Sequence, residues 1–350
     1  MRRIIGFIFY SIFPLLVMAE RLTPYVNPFV GTDGYGNVYP GAQIPFGGIQ
    51  ISPDTDADFY DAASGYKYSH STLMGFSLTH LSGTGIPDLG DFLFVPGAGE
   101  IKSVPGTHDE PEKGYRSHYS HDKEWASPGY YGVELIDYGV KAEMTAASRS
   151  GFFRFTYPKS DQAFILIDMN HTLWQSCPWA NLRQINDSTL VGYKLVKGWG
   201  PERHVYFAAT FSCKLNNFQI LQNGKPVIYD TKRFRSHLEA WGEKLMACVR
   251  FETQANQEIY VKTAISGVST EGALRNLQEL NGFDFDRTRE AADRLWEKEL
   301  SKFQVKGDLK TKQTFYTSAY HAALHPFIFQ DVDGMYLSLI HISEPTRPEP

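Results

Sequence analysis

"GFFRFTYPKSDQAFILIDM" (residues 151–169) decides the fold class. Two runs of aromatic and β-branched residues flank a short break that contains Pro158. Such runs, bounded by turn residues, read as strands. The texture returns in "HVYFAATF" (204–211) and "EIYVKTAIS" (258–266), with turn signals such as "NDST" and "QNGKP" between them. From about residue 25 to 267 no helical pattern intervenes. Many strands with turns and no helices predict an antiparallel β-sandwich.

Downstream of residue 268 the pattern changes. "STEGALRNLQELNG" (269–282) opens with a capping box, Ser269 or Thr270 at the N-cap with Glu271 just inside, and Gly282 is expected to end the helix. In "DFDRTREAADRLWEKELSKF" (284–303), Ala292, Leu295, Trp296, Leu300 and Phe303 fall on one helical face. "LKTKQTFYTSAYHAALHPF" (309–327) repeats the pattern until Pro326. So short a helical segment cannot close a core alone, and its apolar face is expected to pack on helices beyond it. Residues 337–350, "LSLIHISEPTRPEP", match neither texture and read as a non-native tail, with the native protein expected to continue past Tyr336.

The chain of 350 residues carries a net charge of -5, so nothing argues for a nucleic-acid partner. Aromatics reach 14%, a mild pointer toward carbohydrate, because Tyr and Trp combine a flat apolar face with a polar edge. On composition alone an aromatic-rich β core is the better account of the figure. Arg2 and Arg3 precede an apolar run at 4–17, and Val17 and Ala19 sit at small-residue spacing. This predicts a secretory signal peptide at 1–19, a periplasmic or secreted bacterial protein, and no membrane attachment after cleavage. Cys177, Cys213 and Cys248 allow one disulfide at most and fit no zinc spacing.

Two stretches stand out for function. Residues 27–48, "NPFVGTDGYGNVYPGAQIPFGG", are dense in glycine, proline and aromatics and hold no Lys, Arg or His. Residues 80–96, "HLSGTGIPDLGDFLFVP", place further glycines ahead of a buried strand. Two such loops in one β domain suggest a ligand-receiving rim. "SPDTDADFYD" (52–61) alternates Asp54, Asp56 and Asp58 but lacks the glycine and glutamate of a calcium loop, so Asx-turns are expected there. "GTDGYG" is neither a phosphate loop nor a dinucleotide fingerprint, and His80 with Ser82 reads as a satisfied polar pair.

The segments "VNPFVGTDGYGNVYPGAQIPFGGIQISPDT", "SGYKYSHSTLMGFSLTHLSGTG", "DLGDFLFVPGAG" and "YHAALHPFIFQDVDGMY" resemble glycoside hydrolase family 92, the calcium-dependent inverting exo-α-mannosidases. The resemblance covers residues 25–336. It implies an N-terminal β-sandwich (20–267) followed by linker helices and the first helices of an incomplete (α/α)6 barrel (268–336). It implies hydrolysis of terminal α-mannosyl linkages of a mannose-containing glycan, by a glutamate acid and an aspartate base about 6.5–9.5 Å apart. Those carboxylates and the calcium ligands are expected outside this sequence, which would then be inactive alone. A common Gly-His-Thr-Phe-Pro-Gly form of the opening loop is replaced here by residues 36–41, Gly-Asn-Val-Tyr-Pro-Gly. The substrate contacts expected from the resemblance are Phe29, Gly31, Thr32, Asp33 and Tyr39, with Ile86, Pro87 and Asp88 facing the leaving sugar. The alternative reading is a carbohydrate-binding sandwich without catalysis.

Overall fold

The computed structural model describes residues 20–57, 62–228 and 238–337. The expected signal peptide, Asp58, and the tail from residue 338 lie outside them. Two large antiparallel sheets face each other. One has seven strands in the order Ser52–Asp54, Gly75–Ser77, Leu93–Ala98, Ser160–Asp168, Leu245–Thr253, Asn217–Gln222 and Lys225–Pro226 among the described residues. The other has nine, from Glu239–Gly242 through Ser176–Asn186, Thr189–Lys197, Arg203–Phe211, Gln257–Ser266, Ser150–Tyr157, Val140–Ala146 and Tyr130–Leu135 to Glu124–Ser127. The antiparallel sandwich expected from the sequence is what the chain forms.

The stretch 151–169 is a crossing between sheets rather than a hairpin. Ser150–Tyr157 lies in the nine-stranded sheet and Ser160–Asp168 in the seven-stranded one. The Tyr157 hydroxyl donates to the Phe164 carbonyl at 2.8 Å, and Thr253 Oγ1 to the Pro158 carbonyl at 2.7 Å, so the corner is tied from both sides. Phe153, Phe155, Ile165 and Ile167 fill the central core. On the opposite face of the second strand, Phe164 and Leu166 enter a separate cluster with Leu93, Val95 and Tyr115. That strand is buried on both faces, which is why its sequence is continuously apolar instead of alternating.

Three helices follow, α1 (Thr270–Asn276), α2 (Phe285–Leu300) and α3 (Leu309–Ala322). The side chains of Ser269, Asp284 and Asp308 cap their first turns, each worth about 1 kcal/mol. The first helix passes at Leu277 into a 3-10 turn that ends at Glu279, three residues short of Gly282, and the Asn276 side chain at this junction bonds the Ile265 carbonyl and Asp331. The second helix also departs from expectation. Ala292, Trp296 and Leu300, spaced four apart, are buried, whereas Leu295 and Phe303 are exposed. Trp296 and Leu300 pack with Val26, Tyr39, Tyr316 and Tyr320. The helical face therefore uses the N-terminal segment of the chain as its partner. The Glu297 carboxylate completes the joint by accepting from the Leu22 and Thr23 amides at 2.9–3.1 Å.

Candidate functional site

The glycine-rich stretch 27–48 divides in two. Its first half is an exposed turn. Thr32 Oγ1 donates to the Phe29 carbonyl at 2.8 Å, the Tyr68 amide donates to the Thr32 carbonyl at 2.9 Å, and Ser69 Oγ donates to Asp33 at 3.0 Å. A backbone hydrogen bond from Gly34 holds the Asp33 carboxyl below its ordinary range. The half-buried Phe29 ring rests on Tyr66 and Tyr68, and Tyr68 stacks on His121 at 3.8 Å. Under this aromatic layer the buried Glu124 carboxylate accepts from Tyr66, Tyr131 and His121. The turn stands on a rigid pedestal whose one buried charge has three donors.

The second half enters the core. Tyr39 is fully buried, its hydroxyl donating to Gln43 Oε1, and burial pushes its ionisation well up. Gln43 passes the contact on, its Nε2 donating to the Gly47 and Leu324 carbonyls. A Cβ on Gly48 would stand 2.7 Å from the Ile328 carbonyl oxygen, so only glycine lets the segment after α3 lie this close. Much of what this permissive backbone approaches is the chain itself.

The loop at 80–92 is tied to three neighbours. The Gly83 amide donates to the Asn37 carbonyl at 2.7 Å, the Ser82 amide to His325 Nε2 at 3.0 Å, and the Leu173 amide to the Leu89 carbonyl at 2.9 Å. Gln175 Nε2 also bonds the Asp88 carboxylate. Leu89, Phe92 and Trp174 all have left-handed φ, 71°, 57° and 60°, an uncommon strain for bulky residues that clusters at functional sites. Gly85 is different: its φ is not left-handed and a Cβ there would meet nothing within 4 Å. No contact among the described residues requires glycine at that position.

Of the expected contacts, Gly31 and Asp33 are exposed, Phe29, Ile86 and Asp88 are half-buried, and Thr32, Tyr39 and Pro87 are buried. The fold brings the 29–33 turn and the 80–92 loop side by side through Asn37 and Gly83. It separates Tyr39 from the surface.

Two buried ionic clusters lie beneath the rim. Asp54 ends a strand instead of sitting in an Asx-turn, and its two oxygens meet His80 Nε2 and His171 Nε2, each at 2.8 Å. His80 is thus satisfied, but by Asp54, Ser77 and the Gln50 carbonyl, not by Ser82. Burial would raise the Asp54 pKa, yet the two histidines outweigh it and hold the carboxyl well below the usual range. Asp91 is likewise buried and held low by Arg203 at 2.6 Å and Lys194 at 3.0 Å, and also accepts from Thr79 Oγ1. Lys194 Nζ donates to the His171 carbonyl at 2.5 Å and so joins the two clusters. Sequence reasoning missed both, because no spacing rule links residues 54, 80 and 171, or 91, 194 and 203. These carboxylates are neutralised in place, which suits a fixed scaffold better than proton transfer. All three cysteines are free, and burial pushes the Cys248 thiol up to about 11.

The glycosyl hydrolase family 92 N-terminal domain matches residues 25–266, and the family 92 catalytic domain matches 272–345, reaching into the stretch read as foreign. A GH92 α-mannosidase from Bacteroides thetaiotaomicron, solved also with mannoimidazole, shares 74% identity at a TM-score of 0.89, over 91% of this chain and 43% of its own. A GH92 inverting mannosidase of the same species has the same fold at 24% identity and TM-score 0.74, over 90% of this chain and 41% of its own. The uncharacterized secreted glycosidase of Arthroderma benhamiae is 25% identical over 89% of this chain and 42% of that protein. The chain spans about two fifths of the length of these relatives.

Proposed function

The chain belongs to glycoside hydrolase family 92, and on that premise we propose that it forms the sandwich and first barrel helices of an exported α-mannosidase. The enzyme would release terminal α-linked mannose from glycans with inversion. The observation that carries this reading is the 74% identity to an α-mannosidase, running over 91% of the chain. Export is supported by the basic and apolar N-terminus. Among the described residues no helix is long and apolar enough to cross a membrane.

In this reading the rim of the 29–36 turn and the 80–92 loop faces the sugar. Asp33 and exposed main-chain amides supply hydrogen bonds, and Gly85 leaves room for the ligand to reach the backbone. Ile86, Pro87 and Asp88 border the leaving sugar. Tyr39 acts from behind, by fixing Gln43. The acid and base are supplied by residues outside this sequence, so the 350 residues alone do not turn over.

Calcium is the group the family resemblance implies, and the described residues do not fit it. Asp54 and Asp91 already face cationic or imidazole partners, and no group of three or more His, Cys, Asp or Glu side chains is placed to hold a metal among the described residues. Calcium ligands are therefore also assigned to residues beyond these.

The test is the product of the full reading frame, assayed on aryl α-mannosides and α-linked mannobiose, with and without calcium chelation. Release of β-mannose as first product is expected. A full-length product inactive on every α-mannoside would end the reading.

A further inference from the structure

Beside the rim, on the outer side of the seven-stranded sheet, lies a second cleft of ≈ 460 Å³, within the range of small-ligand sites. Asp168, Asn170, His171, Trp174 and Gln175 line it. Trp174 is 51% exposed although its backbone is fixed in a strained left-handed conformation. The segment around it is tightly held: Thr172 Oγ1 donates to the Gln175 carbonyl at 2.7 Å, and the Leu173 amide is bound by Leu89. Strain of this kind persists only where surrounding structure enforces it. Here it presents an aromatic face to the cleft mouth.

Several of the lining groups offer acceptor atoms. Asn170 Oδ1 and Gln175 Oε1 are buried and have no hydrogen-bond partner among the described residues. The Gln175 amide is oriented by its Nε2 bond to Asp88, which leaves the oxygen free. Asp168 accepts from Tyr115 and from the Asn170 amide, one bond on each oxygen, and keeps further acceptor capacity. Buried unpartnered polar atoms are few in folded proteins and each calls for a cause. These three side chains offer acceptors, and Arg116 and His171 in the same lining carry nitrogen atoms beside them. A sugar hydroxyl both donates and accepts and so suits such a mixed lining, whereas an anion would stand against the Asp168 carboxylate.

We propose that this cleft binds one pyranose of a neutral glycan, with the ring against Trp174 and its hydroxyls donating to Asn170, Gln175 and Asp168. Because Gln175 touches Asp88, the cleft continues from the turn assigned to the leaving sugar, and so takes a sugar further along the glycan. The cleft itself is argued independently of the mannosidase reading. Only the choice of mannose as the sugar rests on it.

Titration calorimetry on the 350-residue chain tests this, with mannotriose, maltotriose and inorganic phosphate as probes. Mannotriose is expected to bind, and Trp174→Ala to weaken it at least about tenfold, the scale of one aromatic platform. Asn170→Ala should weaken binding without lowering Tm, since it removes an unpartnered group rather than a structural bond. The proposal is overturned if no neutral sugar binds at tens of millimolar, if Trp174→Ala binds like the parent, or if phosphate competes. Binding of maltotriose alone, lost in Trp174→Ala, would keep the cleft and count against mannose, and with it the mannosidase reading.

Discussion

The indole N–H of Trp296 donates to the carbonyl of Gln43 at 2.7 Å, deep in the core. One bond thereby joins α2 to the glycine-rich stretch, and through Tyr39 to the rim. Trp296→Ala removes that donor and a large buried ring, at a cost of about 3–5 kcal/mol. Thermal unfolding should show the sandwich destabilised along with the helices. For the same reason a chain ending near residue 266 should be less soluble than the full 350 residues, since it uncovers Tyr39 and Val26. If the shorter chain proved the better-behaved monomer, the shared core would be refuted.

Gly85→Ala separates ligand approach from folding. An added methyl meets no atom of the described residues and no left-handed φ is violated, so Tm should hold or rise slightly. In the full-length enzyme kcat/KM on α-mannosides is expected to drop at least about tenfold, roughly 1.4 kcal/mol. Unchanged kinetics would remove Gly85 from the site.

His70 gives a pH dependence of defined sign. Burial and the neighbouring His108 push its pKa down to about 4 from 6.5. Between those values the unfolded chain binds the extra proton, so stability is full above pH 6.5 and is lost as pH falls toward 4. Half-exposure tempers the size, to about 1–2 kcal/mol after allowing for solvent screening. Urea unfolding midpoints at pH 7 and pH 4.5 should differ less in His70→Gln than in the parent. An equal pH slope in both would show the shift to be absent.

Asp54→Asn acts in a lower window. The depressed carboxyl stabilises the fold above the ordinary aspartate pKa of about 3.9 and loses that contribution as pH falls below it. The substitution leaves His80 and His171 without their shared anion, at a cost of about 3–5 kcal/mol near neutrality. The parent should lose stability steeply below pH 4 and the variant less so, as read by fluorescence melts.

The sandwich was legible because periodicity and turn residues are local signals. "AFILIDM" at 163–169 announced a strand, and residues 269–271 announced a helix start. The pairing of sheets was not legible, since nothing in Pro158–Lys159 says whether the chain turns back or crosses over. Nor was the floor of the site, because His80 finds Asp54 and Arg203 finds Asp91 only after distant strands are brought together. Tyr39 shows the opposite difficulty. An aromatic in a glycine-rich loop looks the same in sequence whether it faces a ligand or the core, and here the core claims it.

Gln257–Ser266 occupies the middle of the nine-stranded sheet, between Arg203–Phe211 and Ser150–Tyr157, although it is the last strand in sequence order among the described residues. Without it, the strands within 124–157 and those within 176–211 would each be left with an open edge. Closing such non-local pairings is slow, and waiting edges are prone to wrong partners. The sheet therefore cannot close until this late strand is in place, and a chain cut before residue 257 is expected to expose both edges to wrong partners.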